Sequence, residues 1–255
     1  MICAAIDSKA TKARAIQSLC SLRKDVKAFP SSDKRVPDGA TLVLVYGTLR
    51  GMSEVIQDAR RKKIPWMYMD NGYLQQDHRV VLDATAPITM RDGRRFNYEY
   101  TEEKWRGGQG DYILVCPPSY PYMETFKTDS WLNDLVNTIN CYTGRDIIVR
   151  AKPAKPIRAD KAKPLDEVLD NAYAVVTWGS AVALTAMQKG IPTISTGWCP
   201  AKGASFSLGD LETDKLLQEP NREAVMDNLT WSSFNKSEIP HSFDIIMENA
   251  QCKPL

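Results

Sequence analysis

The sequence predicts an α/β fold in two Rossmann-like halves, and three observations predict it. Apolar runs of strand length alternate with segments of helical periodicity, this alternation fades between Thr85 and Asp111, and it restarts at Tyr112. A chain of 255 residues can bury one large core or two small ones, and alternating strands and helices argue for parallel βαβ units in either case.

In the first half, Ile2 to Ile6 is a short apolar strand that ends on Asp7-Ser8. Residues 9–23 follow with Ala15, Ile16, Leu19 and Leu22 at helical spacing. Residues 26–29 form a second strand, and Pro30-Ser31-Ser32-Asp33 is a loop. Residues 41–47, Thr-Leu-Val-Leu-Val-Tyr-Gly, make the continuous apolar run of a strand covered on both faces. A helix over 53–62 and a strand over 64–69 complete the half, and the strand closes on Asp70-Asn71-Gly72-Tyr73.

Between Thr85 and Asp111 charge replaces periodicity, as in an interdomain connection, which sets the domains at 1–110 and 111–255. The second half has strands over 112–116, 146–149, 172–177 and 191–195, and helices over 130–142, 165–169 and 181–189. Two tail helices are predicted over 222–229 and 242–250, the second packing back on the first domain.

Composition narrows the function. Hydrophobic residues at 43% and charged residues at 25% are those of a globular protein. No run approaches the roughly 18 apolar residues of a membrane span, and the opening meets Asp7 too early for a secretory signal, so a cytoplasmic location is expected. The six cysteines are scattered without CxxC spacing and are read as reduced thiols. A net charge of +2 argues against bulk electrostatic binding of nucleic acid, although a basic stretch runs from Arg145 to Lys163. Two histidines, His78 and His241, exclude a multi-histidine metal site, and no GxSxG elbow accompanies them.

The most informative stretch runs from Ala174 through Thr177-Trp178-Gly179-Ser180 to Met187, a buried strand passing through a tight turn into a small-residue helix. A helix start offers open N–H groups and a positive dipole end; Gly179 lets an anion approach and Ser180 adds a hydroxyl. The turn therefore reads as a diphosphate seat, and equally as a helix that Ser180 caps. Beside it, the strand Asp146–Val149 delivers Arg150 and Lys152 at its carboxyl end, where open parallel sheets bind ligands. Those cations suit a diphosphate; the plainer account is a solvated basic loop.

These runs, with Arg150-x-Lys152-Pro153, Pro164-Leu165-Asp166-Glu167 and Gly190-Ile191-Pro192-Thr193-Ile194, resemble the donor-binding half of GT-B glycosyltransferases over residues 112–200. They are similar in particular to capsule-polysaccharide transferases and to phage-encoded glycosyltransferases that modify DNA. Val45-Tyr46-Gly47, residues 64–73 and residues 113–119 resemble the phage-type members. The resemblance implies a cleft between the two halves and transfer of a sugar from a nucleotide-diphosphate donor to a hydroxyl. The acceptor would be a hydroxymethylated pyrimidine in phage DNA, acted on in the host cytoplasm, or a surface polysaccharide. The other class of account is a nucleotide-binding module without catalysis.

Under this resemblance Arg150, Lys152 and Ser180 neutralise the leaving diphosphate, while Ser119, Thr177, Trp178 and Gly179 shape its seat. No Asp-x-Asp pair stands at a strand end, so a metal-independent enzyme with no cofactor beyond its nucleotide-sugar is expected. Asp70 is the first candidate for the base that takes the acceptor's proton, and Asp7 the second. Each also has a plain role, Asp70 in a turn and Asp7 as a helix cap. Asn71, Tyr73, Arg94 and Arg95 are the acceptor-side candidates, the two arginines toward DNA phosphates; a solvated linker explains the arginines equally well.

Overall fold

The computed structural model describes residues 1–7, 14–74, 78–83, 93–126, 130–152, 163–235 and 237–239. Its contacts divide the chain into two compact units, Met1–Phe96 with the residues from Asp227 onward, and Asn97–Met226. The division falls at Asn97 where the sequence places it near residue 110. Residues 97–110 bond within the second unit, through Glu103 N–H to Gln188 C=O (2.8 Å), Arg106 N–H to Gly190 C=O (2.7 Å) and Trp105 Nε1–H to Leu216 C=O (3.2 Å).

The first unit is a six-stranded sheet. Its strands are β1 (Ile2–Ile6), β2 (Val26–Pro30), β3 (Leu42–Tyr46), β4 (Trp66–Asn71), β5 (His78–Asp83) and β10 (Ser233–Asn235), in the order β10-β5-β4-β3-β1-β2. β1 to β4 are parallel, joined by α1 (Arg14–Leu22) and α2 (Met52–Arg61), as the alternating pattern predicts. The predicted residues 9–13 of the first helix lie outside the described residues. β3 is central and buried along Leu42 to Val45, which is why it reads as an unbroken apolar run. Met52, Val55, Ile56 and Ala59 of α2 recur at helical spacing and are all buried, each large side chain contributing roughly 1.5–3 kcal/mol.

Two features depart from the sequence reading. β4 runs on through Asp70 and Asn71, because antiparallel β5 pairs with them at Val80 and Arg79. β10 then pairs antiparallel with β5, and its Phe234 is fully buried against Ala4, Leu44 and Met67. The tail helix predicted over 242–250 lies outside the described residues; α7 (Arg222–Ser232) leads directly into β10.

The second unit is a parallel sheet of β6 (Tyr112–Cys116), β7 (Asp146–Val149), β8 (Ala172–Thr177) and β9 (Thr193–Ser195), in the order β7-β6-β8-β9. Its helices are α3 (Tyr120–Phe126), α4 (Trp131–Tyr142), α5 (Leu165–Leu169) and α6 (Val182–Gln188). β8 is buried along its whole length, and Ile113, Val115, Ala174 and Val176 pack under Leu135 and Ile139 of α4.

One loop of this unit carries a testable electrostatic feature. The 3-10 turn Leu208–Asp210 is closed by a capping box in which Asp210 accepts from Ser207 N–H (2.9 Å) and Ser207 Oγ (2.6 Å), while Lys215 Nζ donates at 2.7 Å. The Lys215 ammonium, then the Ser207 hydroxyl and N–H, hold the Asp210 carboxyl down to about 2. A depressed carboxyl stabilises the fold above its unfolded value of roughly 4, and that contribution disappears as pH falls toward 2. We expect Asp210→Asn to lose about 1 kcal/mol at pH 7, a modest figure because Lys215 is largely exposed. In urea unfolding the gap from the wild type should hold above pH 4 and close below it; a gap independent of pH would contradict the assignment.

Candidate functional site

In the second unit the strand order reverses between β6 and β8, so both connections leave their carboxyl ends there in opposite directions. Such a switch point leaves a crevice in open α/β sheets. The two strand ends carry Ser119 and the Thr177–Ser180 turn. Register sets Val149, Val115, Val176 and Ile194 in one row across the sheet, and Arg150, Cys116, Thr177 and Ser195 stand one residue further on. Strands lie about 4.8 Å apart, so the Arg150 and Thr177 backbones are roughly 10 Å apart at the same edge.

The turn is built from several ties. Thr177 is fully buried and its hydroxyl donates to Cys116 C=O (2.6 Å), joining β8 to β6 rather than facing a ligand. Gly179 has φ +68°, which a glycine adopts without strain, and its N–H donates to Trp198 C=O at 2.7 Å. That N–H is therefore taken. Ser180 Oγ accepts from Val182 N–H (3.3 Å), so the serine does cap α6. Among the described residues no hydrogen bond reaches the N–H groups of Ser180 and Ala181, which are the open donors of the turn.

Around this turn stand four aromatic rings. Trp178 meets Tyr122 at 5.2 Å and Phe126 at 5.9 Å between centroids, both edge-on, and Trp131 at 6.4 Å. Gly197 has no side chain to displace the Trp178 ring, and a Cβ there would overlap it. Trp131 Nε1–H donates to Thr196 Oγ1 (3.1 Å). The Trp198 indole N–H is buried and has no acceptor among the described residues. Tyr122 and Phe126 lie on α3, a segment to which the sequence pattern assigns no element.

The cations differ in how they are held. Arg150 N–H donates to Val115 C=O (2.8 Å) and its guanidinium to Lys163 C=O (2.8 Å), which fixes the side chain at the strand end and leaves further donors. Burial raises the Cys116 thiol to about 12, against the opposing pull of the nearby Arg150 charge, so this cysteine is an inert core residue. Lys152 is exposed, and residues 153–162 lie outside the described residues. Arg145, the start of the basic stretch, is structural: it pairs with Glu212 (2.6 Å) and lies over the Tyr173 ring.

In the first unit the carboxyl ends of β1, β3 and β4 carry Asp7, Tyr46-Gly47 and Asp70-Asn71. Asp7 is mostly covered and paired with Arg50 (2.9 Å). Asp70 is half-buried and lies within β4, so the free turn expected at this position is replaced by a strand pair. Its Oδ2 accepts from Tyr68 OH (2.7 Å) and its Oδ1 from Asn71 N–H (2.7 Å), while Asn71 Oδ1 accepts from Tyr46 OH (3.2 Å). Tyr73 follows, half-buried, and His78 opens β5. The sequence alone assigns no role to Tyr68 or Tyr46; the alternation that puts Tyr68 and Asp70 on one face of a strand is the signal that points to the first.

The arginines assigned to the acceptor are engaged within this unit. Arg94 pairs with Asp227 (2.9 Å). Arg95 donates to Thr230 C=O (3.0 Å), Ser233 C=O and Glu238 (3.1 Å), and lies over the Phe96 and Phe234 rings. Its guanidinium is spent on α7 and β10. Among the described residues no group of three or more His, Cys, Asp or Glu side chains is arranged to hold a metal ion.

With this geometry in place, the chain compares with solved glycosyltransferases. It covers 97% of its length against 99% of the beta Kdo 2,7 transferase KpsC of Thermosulfurimonas dismutans, at 13% identity and a TM-score of 0.51. The chain shares that fold. The beta Kdo 2,4 transferase KpsC of the same organism matches at 11% identity and a TM-score of 0.46, over 97% of each chain. The spinosyn rhamnosyltransferase SpnG, complexed with thymidine diphosphate, matches at 13% identity and a TM-score of 0.30, over 93% of this chain and 82% of that one. No family model matches the sequence, and no curated protein matches it. No helix among the described residues is long and apolar enough to cross a membrane.

Proposed function

We propose that the protein is a glycosyltransferase that moves a sugar from a nucleotide-diphosphate donor to a hydroxyl of a surface polysaccharide. The observation that carries this reading is the switch point of the second unit. Its β8 end presents open N–H groups at Ser180 and Ala181 and an aromatic wall led by Trp178, and the β7 end at the same edge of the sheet holds the Arg150 guanidinium. Open donors and a cation suit a diphosphate.

In the transfer, the acceptor oxygen bonds to the anomeric carbon, the bond from that carbon to the phosphate oxygen breaks, and its electron pair leaves with the diphosphate. The acceptor's proton passes to Asp70. Arg150, Lys152 and the Ser180 turn stabilise the charge that develops on the leaving group, the part a metal ion plays in other transferases. The polysaccharide acceptor is favoured over modified DNA on two grounds. The fold is shared with a Kdo transferase, and the arginines that would meet DNA phosphates are paired inside their own unit.

A thermal-shift panel tests the donor site, with UDP, GDP, CDP and ADP and their glucose derivatives, each in EDTA. One nucleotide is expected to raise the melting temperature by a few degrees at millimolar concentration, roughly what binding well above Kd produces. Arg150→Ala should abolish the rise. Silence across the panel, or a rise that survives Arg150→Ala, would remove the donor site from the second unit.

A further inference from the structure

The first unit holds two carboxylates at the carboxyl ends of parallel strands β1 and β4, with β3 between them, and the structure treats them differently. Asp7 faces a cation: Arg50 NH1 donates to its Oδ2, and its side chain is only 14% exposed. Asp70 is met by neutral donors, the Tyr68 hydroxyl on Oδ2 and the Asn71 N–H on Oδ1. A neutral donor orients a carboxylate without cancelling its charge. An ionised carboxylate has about four lone-pair directions, so two bonds leave room to accept a proton.

We propose that Tyr68 is the positioning residue for Asp70: its hydroxyl holds the carboxylate in the orientation from which it takes the acceptor's proton. This rests on the glycosyltransferase reading above. Tyr68 is suited to the task because its ring is anchored, only 9% exposed in β4, two residues before Asp70 and on the same strand face. Pleated register with β3 and β5 fixes Tyr68, and register with β5 fixes Asp70, so the 2.7 Å bond is held by the sheet and not by a loop. Asn71 is steadied in turn by Tyr46 from β3, which anchors the second donor.

The test is a double-mutant cycle on the full chain, using Y68F, D70N and Y68F/D70N. The readout is nucleoside diphosphate released from UDP-, GDP-, CDP- or ADP-glucose with water as acceptor, whose proton goes to Asp70 and whose oxygen ends on the freed sugar. Phe keeps the buried ring, so Y68F should fold and show the wild-type melting temperature. We expect Y68F to lower kcat about ten-fold with KM unchanged, D70N to lower it about a hundred-fold or more, and the double variant to match D70N. Effects that multiply, a change in KM instead of kcat, or wild-type turnover in Y68F would overturn the positioning role while leaving the enzyme reading intact. A wild-type chain that releases nothing from any of the four donors would overturn the glycosyltransferase reading, and the inference with it.

Discussion

Replacing Arg95 with alanine is expected to destabilise the first unit by about 3–5 kcal/mol, the scale seen when one partner of a covered charged network is removed. The guanidinium is 15% exposed and serves three elements at once: the end of α7 through Thr230 C=O, β10 through Ser233 C=O, and the following turn through Glu238. It also lies over the ring of Phe234, the buried residue by which β10 closes the core. Alanine would take a donor from two carbonyls and the charged partner from Glu238, which still accepts from Asn235 N–H (2.8 Å), and would loosen that ring. Lysine should recover only part of the loss, because one ammonium cannot span the positions a planar fork reaches. Urea unfolding followed by circular dichroism measures it. A loss below about 1 kcal/mol would return Arg95 to the surface role that its sequence context suggests.

Arg95 also shows where sequence reading stops. In a stretch rich in Arg, Glu and Gly, a guanidinium that faces solvent and one that ties a core look alike, since the difference lies in partners more than 130 residues away. Long-range antiparallel pairing hides in the same way. β10 is three residues, Ser-Phe-Asn, directly after a helix, with no alternation to announce it. The strand that lengthens β4 past Met69 does so only because β5 lies beside it, and an Asp-Asn-Gly sequence taken alone reads as a turn.

What was legible had strong local cause. β1, β6, α5 and β8 fall at their predicted bounds, because buried parallel strands are continuous apolar runs and the intervening helices carry their own periodicity. The turn after β8 was legible for the same reason: strand, glycine at positive φ, serine, helix is a local pattern. Its internal wiring was not. That the Gly179 N–H would be claimed by Trp198, leaving Ser180 and Ala181 as the open donors, depends on how the loop after β9 folds back, and no local rule supplies that. The aromatic wall was half visible, as Trp178 alone, because its other rings come from α3 and α4.

Asp70→Asn and Asp7→Asn should separate the two carboxylates that sequence position alone leaves as rivals. Asp70→Asn keeps the shape, with a carbonyl oxygen that can accept from Asn71 N–H and an amide that can donate to the Tyr68 hydroxyl, but the amide is no base. It should therefore lower turnover roughly 10²- to 10⁴-fold, the usual contribution of a general base, with little change in melting temperature. Asp7→Asn removes the charge that Arg50 pairs with and leaves a cation facing an amide. Arg50 is 58% exposed and can turn to water, so the loss of stability should stay near 1 kcal/mol, with turnover falling less than ten-fold. Nucleotide-dependent melting should survive both substitutions, because the donor groups Arg150, Ser180 and Ala181 belong to the second unit. The reverse pattern, turnover lost in Asp7→Asn and kept in Asp70→Asn, would move the base to Asp7 and cast Arg50 as the group that orients it. Tyr68 and Asn71 would then be a strand-end tie with no part in the chemistry.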